Sequence, residues 1–417
     1  MLPPRRLTKR RLIASATAAA AIATGIIVTG QANGLPTNML SSDKADSANA
    51  EAVADTIPLT LKNNSGRDEP VHVYVIGTEL ASGTQGYADE SGAFHAWPGG
   101  GAPPIPAPDA SFEGPKNGET KTIQLPKFSG RVYFSYGDKL EFQLAEGGLV
   151  QPAVQNESDP NHDKLFNWTE YTLNDSGLWL NSTQVDMFSA PYSVGLTSGD
   201  GSTKETGKLK PGGYKAVIDG LKEQGGGWEN LVQTREDGTP LRVLAPGHAT
   251  GNGSLPGDVL DDYINRVWEK YQNEELTVTP FKEEPDTKFT GKVNGDKMDF
   301  TDGSGQVVTS FEKPDSDSVF GCYKKLDAPN DKVRGPISRT LCAALNRGTL
   351  LTNNQQPDAD NSGFYQDKVT NHYARLVHGQ MEDGKAYAFA FDDVGAQESL
   401  VHDGAPKDAT ISLEPFE

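Results

Sequence analysis

From Ile57 to about Pro191 apolar and polar residues alternate. IPLTLKNNSG, VHVYVIG, KTIQLP, GRVYFSYGDKLEFQL, LFNWTEYTL and QVDMFSAPYSVGL each place every second side chain on one face, between Gly, Pro and Asn punctuation. Short strands at such spacing predict a sandwich or barrel. Trp97 to Pro115 is rich in Pro and Gly and predicts a long surface loop, placed to wall a groove. From about Ser198 the period becomes helical. Lys210-Pro211-Gly212-Gly213 leads into a helix over 214–222. A second is predicted over 254–271, with Pro256 at its start and Leu260, Ile264, Val267 and Tyr271 on one face. Gly335-Pro336 opens a third through Leu341 and Leu345, and 364–380 a fourth, carrying Val369, Tyr373, Leu376 and Val377. LTVTPF, KFTGKVNGDKMDFTD and QVVTSFEK read as strands and hairpins between them. Strand text resumes with AYAFAFDDVG from Ala386 and ends with ATISLEPF. A C-terminal hairpin that completes the first barrel makes the mixed region an insertion. The expected domains are therefore 56–192 with 385–417, mainly β, and 193–384, mixed α/β, with a groove between them suited to a polymer.

Residues 1–32 read as a signal peptide: Arg5, Arg6, Lys9, Arg10 and Arg11, then an apolar stretch from Leu12 to Val28, then Gly30-Gln31-Ala32 as a cleavage site. Export is expected, and Thr8-Lys9-Arg10-Arg11-Leu12 leaves a twin-arginine route open. Residues 33–55 are small and polar and predict a disordered leader. Loss of the five basic residues of the signal moves the formal charge from -19 to -24. Phosphate backbones and anionic lipids need Lys and Arg clusters, so nucleic acid and membrane are excluded as partners, while a neutral polysaccharide is compatible. Cys322 and Cys342 are the only cysteines, and in an oxidising compartment they predict one disulfide. No HExxH, paired CxxC or GxSxG occurs, and His372 and His378 are six apart, off the spacing that puts two ligands on one helix face. No metal or cofactor is expected. No amphipathic surface stands out, so a monomer is expected.

The richest chemistry lies in FNWTEYTLNDSGLWLNSTQVD, Phe166 to Asp186. Glu170 and Asp186 bracket Trp, Thr and Asn with no basic residue between them. Glycoside hydrolysis needs two carboxyl groups flanking the scissile bond, one to protonate the leaving oxygen and one to activate water or attack. Indole faces suit the C–H faces of pyranose rings, and Thr and Asn match hydroxyls. The plainer reading of the same residues is a half-buried strand pair: Thr172 and Thr183 as strand packing, Trp179 as core, and NDSG around Asn174 as turn chemistry. Asp392 and Asp393 follow an apolar run and either add negative potential to a groove or cap a turn. Trp97 and Trp228 have no assignment, and Trp268, in a helix, is expected to be buried.

NWTEYTLNDSGLWLNSTQVDMFSAPY, with GGLVQPAVQN, FGCYKKLDAPND, GPISRTLCAALNR, YQDKVTNHYAR and AYAFAFDDVG, closely resembles the laminaripentaose-producing β-1,3-glucanases of glycoside hydrolase family 64. The resemblance runs from Ile57 to Phe416. It implies a crescent of two domains, a thaumatin-like β barrel and a mixed α/β domain, around an acidic groove for β-1,3-glucan (curdlan, laminarin, fungal cell wall). It also implies a general acid at Glu170, a general base at Asp186 and sugar contacts from Thr172, Asn174, Trp179 and Thr183. The competing class is a non-catalytic thaumatin-like β-glucan-binding protein, which needs neither carboxylate. If Asn174 to Gly177 turns the chain, Glu170 lies opposite about Thr183 and Asp186 about 10 Å further along, a separation that favours inversion.

Overall fold

The computed structural model describes residues 53–417. The expected signal peptide and most of the expected leader lie outside the described residues. Val53 is already buried against the first core, so packing begins slightly before the expected start at Ile57.

Two sheets face each other. The five-stranded sheet runs Thr203–Thr206, Tyr192–Ser198, Pro406–Leu413, Thr56–Asn63 and Thr120–Pro126, with Thr56–Asn63 and Pro406–Leu413 parallel and the other pairs antiparallel. The larger sheet runs Leu400–Asp403, Gly177–Ser182, Leu165–Asn174, Phe128–Tyr136, Val71–Glu79, Gln85–Ala88 and Phe94–Ala96, with Phe112–Glu113 paired to Val71–Glu79. Alternation explains the layer between them. Leu59, Leu61, Ile123, Val194 and Ile411 from one sheet meet Val75, Val132, Phe134, Leu173, Leu178 and Leu180 from the other. The strand Tyr192–Ser198 belongs to this core, which moves the expected boundary at residue 192 to beyond Thr206.

A second core gathers the helices Gly213–Gln224, Asp261–Asn273, Arg334–Arg347 and His372–Gln380 around two further sheets. One of these is Met187–Phe188, Pro240–Leu244 and Val232–Thr234; the other includes the hairpin Phe289–Asn294 with Lys297–Thr301. Two helices are shorter than expected. Pro256 does not start the second, which begins at Asp261 after a turn. The fourth begins at His372, where the Asn371 side chain accepts a bond from the Ala374 N–H at 3.0 Å, a polar cap on the first free turn. Trp268 is buried, as is Trp228. Cys322 and Cys342 are joined, with Cα atoms 5.7 Å apart.

AYAFAFDDVG is not a strand. Ala386 to Phe389 are buried, but Asp392 pulls the chain into a turn: its Oδ2 accepts from Ala388 N–H at 3.0 Å and faces His378 Nε2 at 2.8 Å, while Arg347 Nη2 donates to Oδ1 at 2.8 Å. Asp392 is thus a fully buried structural anchor. The returning strands also do not form a hairpin: Leu400–Asp403 joins the larger sheet and Pro406–Leu413 the smaller.

Candidate active site

The strand Leu165–Asn174 sends Leu165, Tyr171 and Leu173 into the core between the sheets, so its even-numbered residues face outward. Along that outer face the text changes from Phe166 and Trp168, which sit in a small apolar cluster with Tyr133 and Phe142, to Glu170, Thr172 and Asn174. The apolar cover stops where the carboxylate begins. On the neighbouring strands the same face carries Ser129, Arg131 and Tyr133 on one side, and Trp179 and Asn181 on the other.

The hairpin turn is tighter than expected. Asn174 pairs with Gly177, so Glu170 lies opposite Asn181, two residues before the expected Thr183. Gly177 has a φ of 130°, and a Cβ there would lie 2.1 Å from the Asp403 carbonyl oxygen, so only glycine fits at this close approach. After Ser182 the ladder ends, and residues 183–186 bend back. Gln184 N–H donates to Tyr387 O at 2.8 Å, Tyr387 N–H returns a bond to Gln184 Oε1 at 3.1 Å, and Tyr373 Oη donates to Gln184 O at 2.6 Å. Ala245 N–H then holds Asp186 O at 3.0 Å, next to the ladder of Met187 with Leu244.

This bend brings the two carboxylates together around one guanidinium. Arg131 donates from Nε and Nη2 to Glu170 Oε1, at 3.1 and 2.9 Å, and Nη2 lies 3.8 Å from Asp186 Oδ2. The spans of 2.9 and 3.8 Å meet at one nitrogen, so these two oxygens are at most about 6.7 Å apart, shorter than the 10 Å expected from an unbroken ladder and only at the lower edge of the inverting range, so this spacing does not itself select inversion. Arg131 is itself fixed: Nη1 donates to Gln151 Oε1 at 2.9 Å, Tyr133 Oη donates to the same oxygen, and the guanidinium lies 4.8 Å from the Trp168 ring centre. Asp186 Oδ1 faces His248 Nε2 at 2.8 Å.

The environments push the carboxyls apart. Burial raises the Glu170 pKa, and the Asp186 charge adds to this, although Arg131 and Asn181 oppose it. Burial also acts on Asp186, but the bond and charge of His248, with Arg131, lower its pKa overall. The His248 pKa is raised: burial works against the cation, and Asp186 more than compensates. The Asp186 and His248 side chains keep 29% and 26% of their surface exposed, enough for water or a ligand to reach them, while Glu170 keeps 10%.

The other candidates divide. Thr172 is buried, with its hydroxyl 3.1 Å from that of Ser129, and shares the outer face with Glu170. The Trp179 ring is half-buried and stacked on His402, with centroids 4.0 Å apart and planes 15° apart, so one indole face is already covered. Asn174 ends the strand, and its Oδ1 accepts from Ser176 N–H at 2.7 Å, which is turn chemistry. Thr183 is buried in the bend, its N–H donating to Tyr192 Oη at 2.9 Å and its Oγ1 accepting from Val185 N–H at 3.5 Å. Arg131, Gln151, Asn181 and His248 were not among the residues expected from sequence. Strand alternation in GRVYFSY places Arg131 on a face but does not say which strand is its neighbour. Pro246 marks the start of the short helix Pro246–Asn252 that carries His248.

Known proteins match most of the chain. The β-1,3-glucanase model of glycoside hydrolase family 64 matches residues 55–413. Glucan endo-1,3-beta-glucosidases of Cellulosimicrobium cellulans and an Arthrobacter species are each 55% identical over 371 residues, 88% of this chain and 67% of theirs. A laminaripentaose-producing β-1,3-glucanase crystallised with laminaritetraose superposes with a TM-score of 0.86 at 65% identity, covering 88% of this chain and 100% of that one. A β-1,3-glucanase domain from Clostridium beijerinckii gives 0.70 at 26% identity, covering 88% and 100%. On the extent of these matches, the chain belongs to glycoside hydrolase family 64, the β-1,3-glucanases.

Proposed function

We propose that the protein is a secreted enzyme that cleaves β-1,3-glucan into short oligosaccharides, laminaripentaose chief among them, by an inverting acid/base mechanism. The observation that carries this reading is the pair Glu170 and Asp186, joined through Arg131 and held in opposite protonation tendencies. Both Arg131 bonds fall on Glu170 Oε1, which leaves Oε2 to carry the proton. His248 occupies Asp186 Oδ1, which leaves Oδ2 to act on water.

In the reaction, Glu170 Oε2–H donates its proton to the glycosidic oxygen as the bond from that oxygen to the anomeric carbon breaks. Water attacks the anomeric carbon from the opposite face and gives a proton to Asp186 Oδ2. One bond is broken, one water is consumed, and solvent returns the proton from Asp186 to Glu170. Thr172, Asn174, Trp179 and Thr183 contact the sugar in this reading, with the uncovered face of Trp179 as a stacking platform. The two cores fit a thaumatin-like barrel and a mixed α/β domain forming a crescent, with the glucan in the groove between them, and the enzyme acting as a monomer.

Glu170→Gln and Asp186→Asn variants, incubated with curdlan and assayed for soluble sugars by mass, test the reading. Loss of release by about a thousandfold or more in each is expected when an acid or base is removed from a concerted step. Wild-type rates in either variant overturn its assignment, and tight curdlan binding without product from the native protein leaves a glucan-binding protein instead.

A further inference from the structure

The catalytic reading explains two carboxylates but not the imidazole bonded to one of them. His248 sits in the first turn of the helix Pro246–Asn252, three residues beyond Ala245, whose N–H holds the Asp186 carbonyl. The ladder of Met187–Phe188 with Pro240–Leu244 sets both ends of this contact, so the 2.8 Å bond from Nε2 to Oδ1 is fixed by backbone pairing at the residues next to it.

We propose that His248 is a positioning residue for the glucanase reaction: it turns Asp186 so that Oδ2 faces the reacting water and keeps that carboxylate ionised in acid solution. This deepens the acid/base reading above and rests on Asp186 being the base.

The charges around the pair leave this role to His248. Arg131, from the strand Phe128–Tyr136, is the other cation near Asp186, but its short bonds go to Glu170 and its approach to Oδ2 is 3.8 Å. Glu170 opposes ionisation of Asp186 as its own charge develops, and the buried Tyr373 and Tyr133 phenols on the far sides stay neutral. Asp317, on the adjoining helix Ser316–Gly321, bonds Thr250 Oγ1 at 2.8 Å and is countered by Lys324 at 2.7 Å, so its charge is met locally. An Nε2–H donates to Asp186 whether the imidazole is neutral or charged, so orientation persists with pH, but the positive charge is present throughout the acid range.

The test is the pH dependence of kcat/KM on soluble laminarin for the full chain, wild type against His248→Gln, His248→Arg and Asp186→Asn. His248→Gln keeps a donor and loses the charge, so the acid limb is expected to move up by about one pH unit, since a neighbouring opposite charge lowers a carboxyl by about that much or more. The alkaline limb, set by Glu170, is expected to stay in place and KM to change less than twofold. His248→Arg restores charge and is expected to hold the acid limb low. A purely structural His248 lowers kcat in both variants without moving either limb, and that result overturns the proposal. Where glutamine disturbs the fold, seen as a lower melting temperature, His248→Asn repeats the comparison with a shorter amide. If Asp186→Asn stays active, the base assignment itself fails; if it is inactive and the acid limb of His248→Gln is unmoved, only the role of His248 fails.

Discussion

Arg131→Met removes the cation that, among the described residues, reaches both carboxylates, and leaves a shorter apolar side chain on the same strand. The two bonds to Glu170 Oε1, at 3.1 and 2.9 Å, persist when Glu170 is protonated but are strongest when it is ionised, because the guanidinium then faces a full charge. A directly paired opposite charge lowers a carboxyl pKa by about 1–3 units. Without it, burial and Asp186 are left to push Glu170 upward with Asn181 alone in opposition. The alkaline limb of the pH–rate profile is therefore expected to rise by about one unit or more. The acid limb rises less, since the approach to Asp186 is 3.8 Å and His248 remains. The rate at the optimum falls by about 10–100-fold, the scale expected when a catalytic group is displaced by about 1 Å. Stability changes in the same direction. Glu170 has a folded pKa above its unfolded value, so its burial costs nothing below about pH 4 and costs progressively more as pH rises through the folded value. In Arg131→Met that cost is larger and extends to higher pH, so the urea midpoint should match wild type at about pH 4 and fall below it at pH 7. Laminarin hydrolysis from pH 3 to 9, with urea melts at the two pH values, reads both effects. An alkaline limb that stays in place or moves down refutes the account of Arg131.

Three further outcomes are expected. Asp392→Ala leaves Arg347 Nη2 and Ala388 N–H short of a partner inside the core, and truncating one member of such a buried pair costs about 3–5 kcal/mol, read as a lower urea midpoint with an unchanged slope. Asp393 and Glu398 have pKa values raised by burial to about 6 and about 7, so they favour the fold below about pH 4 and lose that contribution as pH rises through 6 to 7; Asp393→Asn with Glu398→Gln should flatten the fall in melting temperature across that window. Trp179→Ala should raise KM for laminarin by about tenfold with a smaller change in kcat, and His402→Ala should do the same in part, with His402→Phe restoring the stacked support; equal KM values in all three would remove the platform.

The strands were legible where one face is buried and the other is not, as in IPLTLKN, because a period of two survives in the text. AYAFAFDDVG misleads because its apolar residues are buried by a turn closed on Asp392, a tertiary contact with Arg347 and His378 that no local pattern announces. The helix expected over 364–380 loses its first half to turns, with Asn371 as the cap, and such boundaries depend on which polar side chain wins the free N–H groups. Glu170 and Asp186 could be singled out as candidates from one short run. Their spacing in space could not, because it depends on a two-residue hairpin turn and on the bend after Ser182 that Gln184 pins to Tyr387 and Tyr373. Arg131 and His248 come from segments 39 and 62 residues from the carboxylates they touch, so only the assembled sheets and the short helix reveal them.

The central claim is that Glu170 protonates the leaving oxygen while Asp186 activates water on the opposite face. It is tested most directly by proton NMR of the anomeric signal in the first minutes of laminarin hydrolysis by the wild-type protein, before mutarotation mixes the forms. The account predicts that the α-anomer of the new reducing end appears first. An initial β-anomer would mean a covalent intermediate and a nucleophilic carboxylate, and would contradict it.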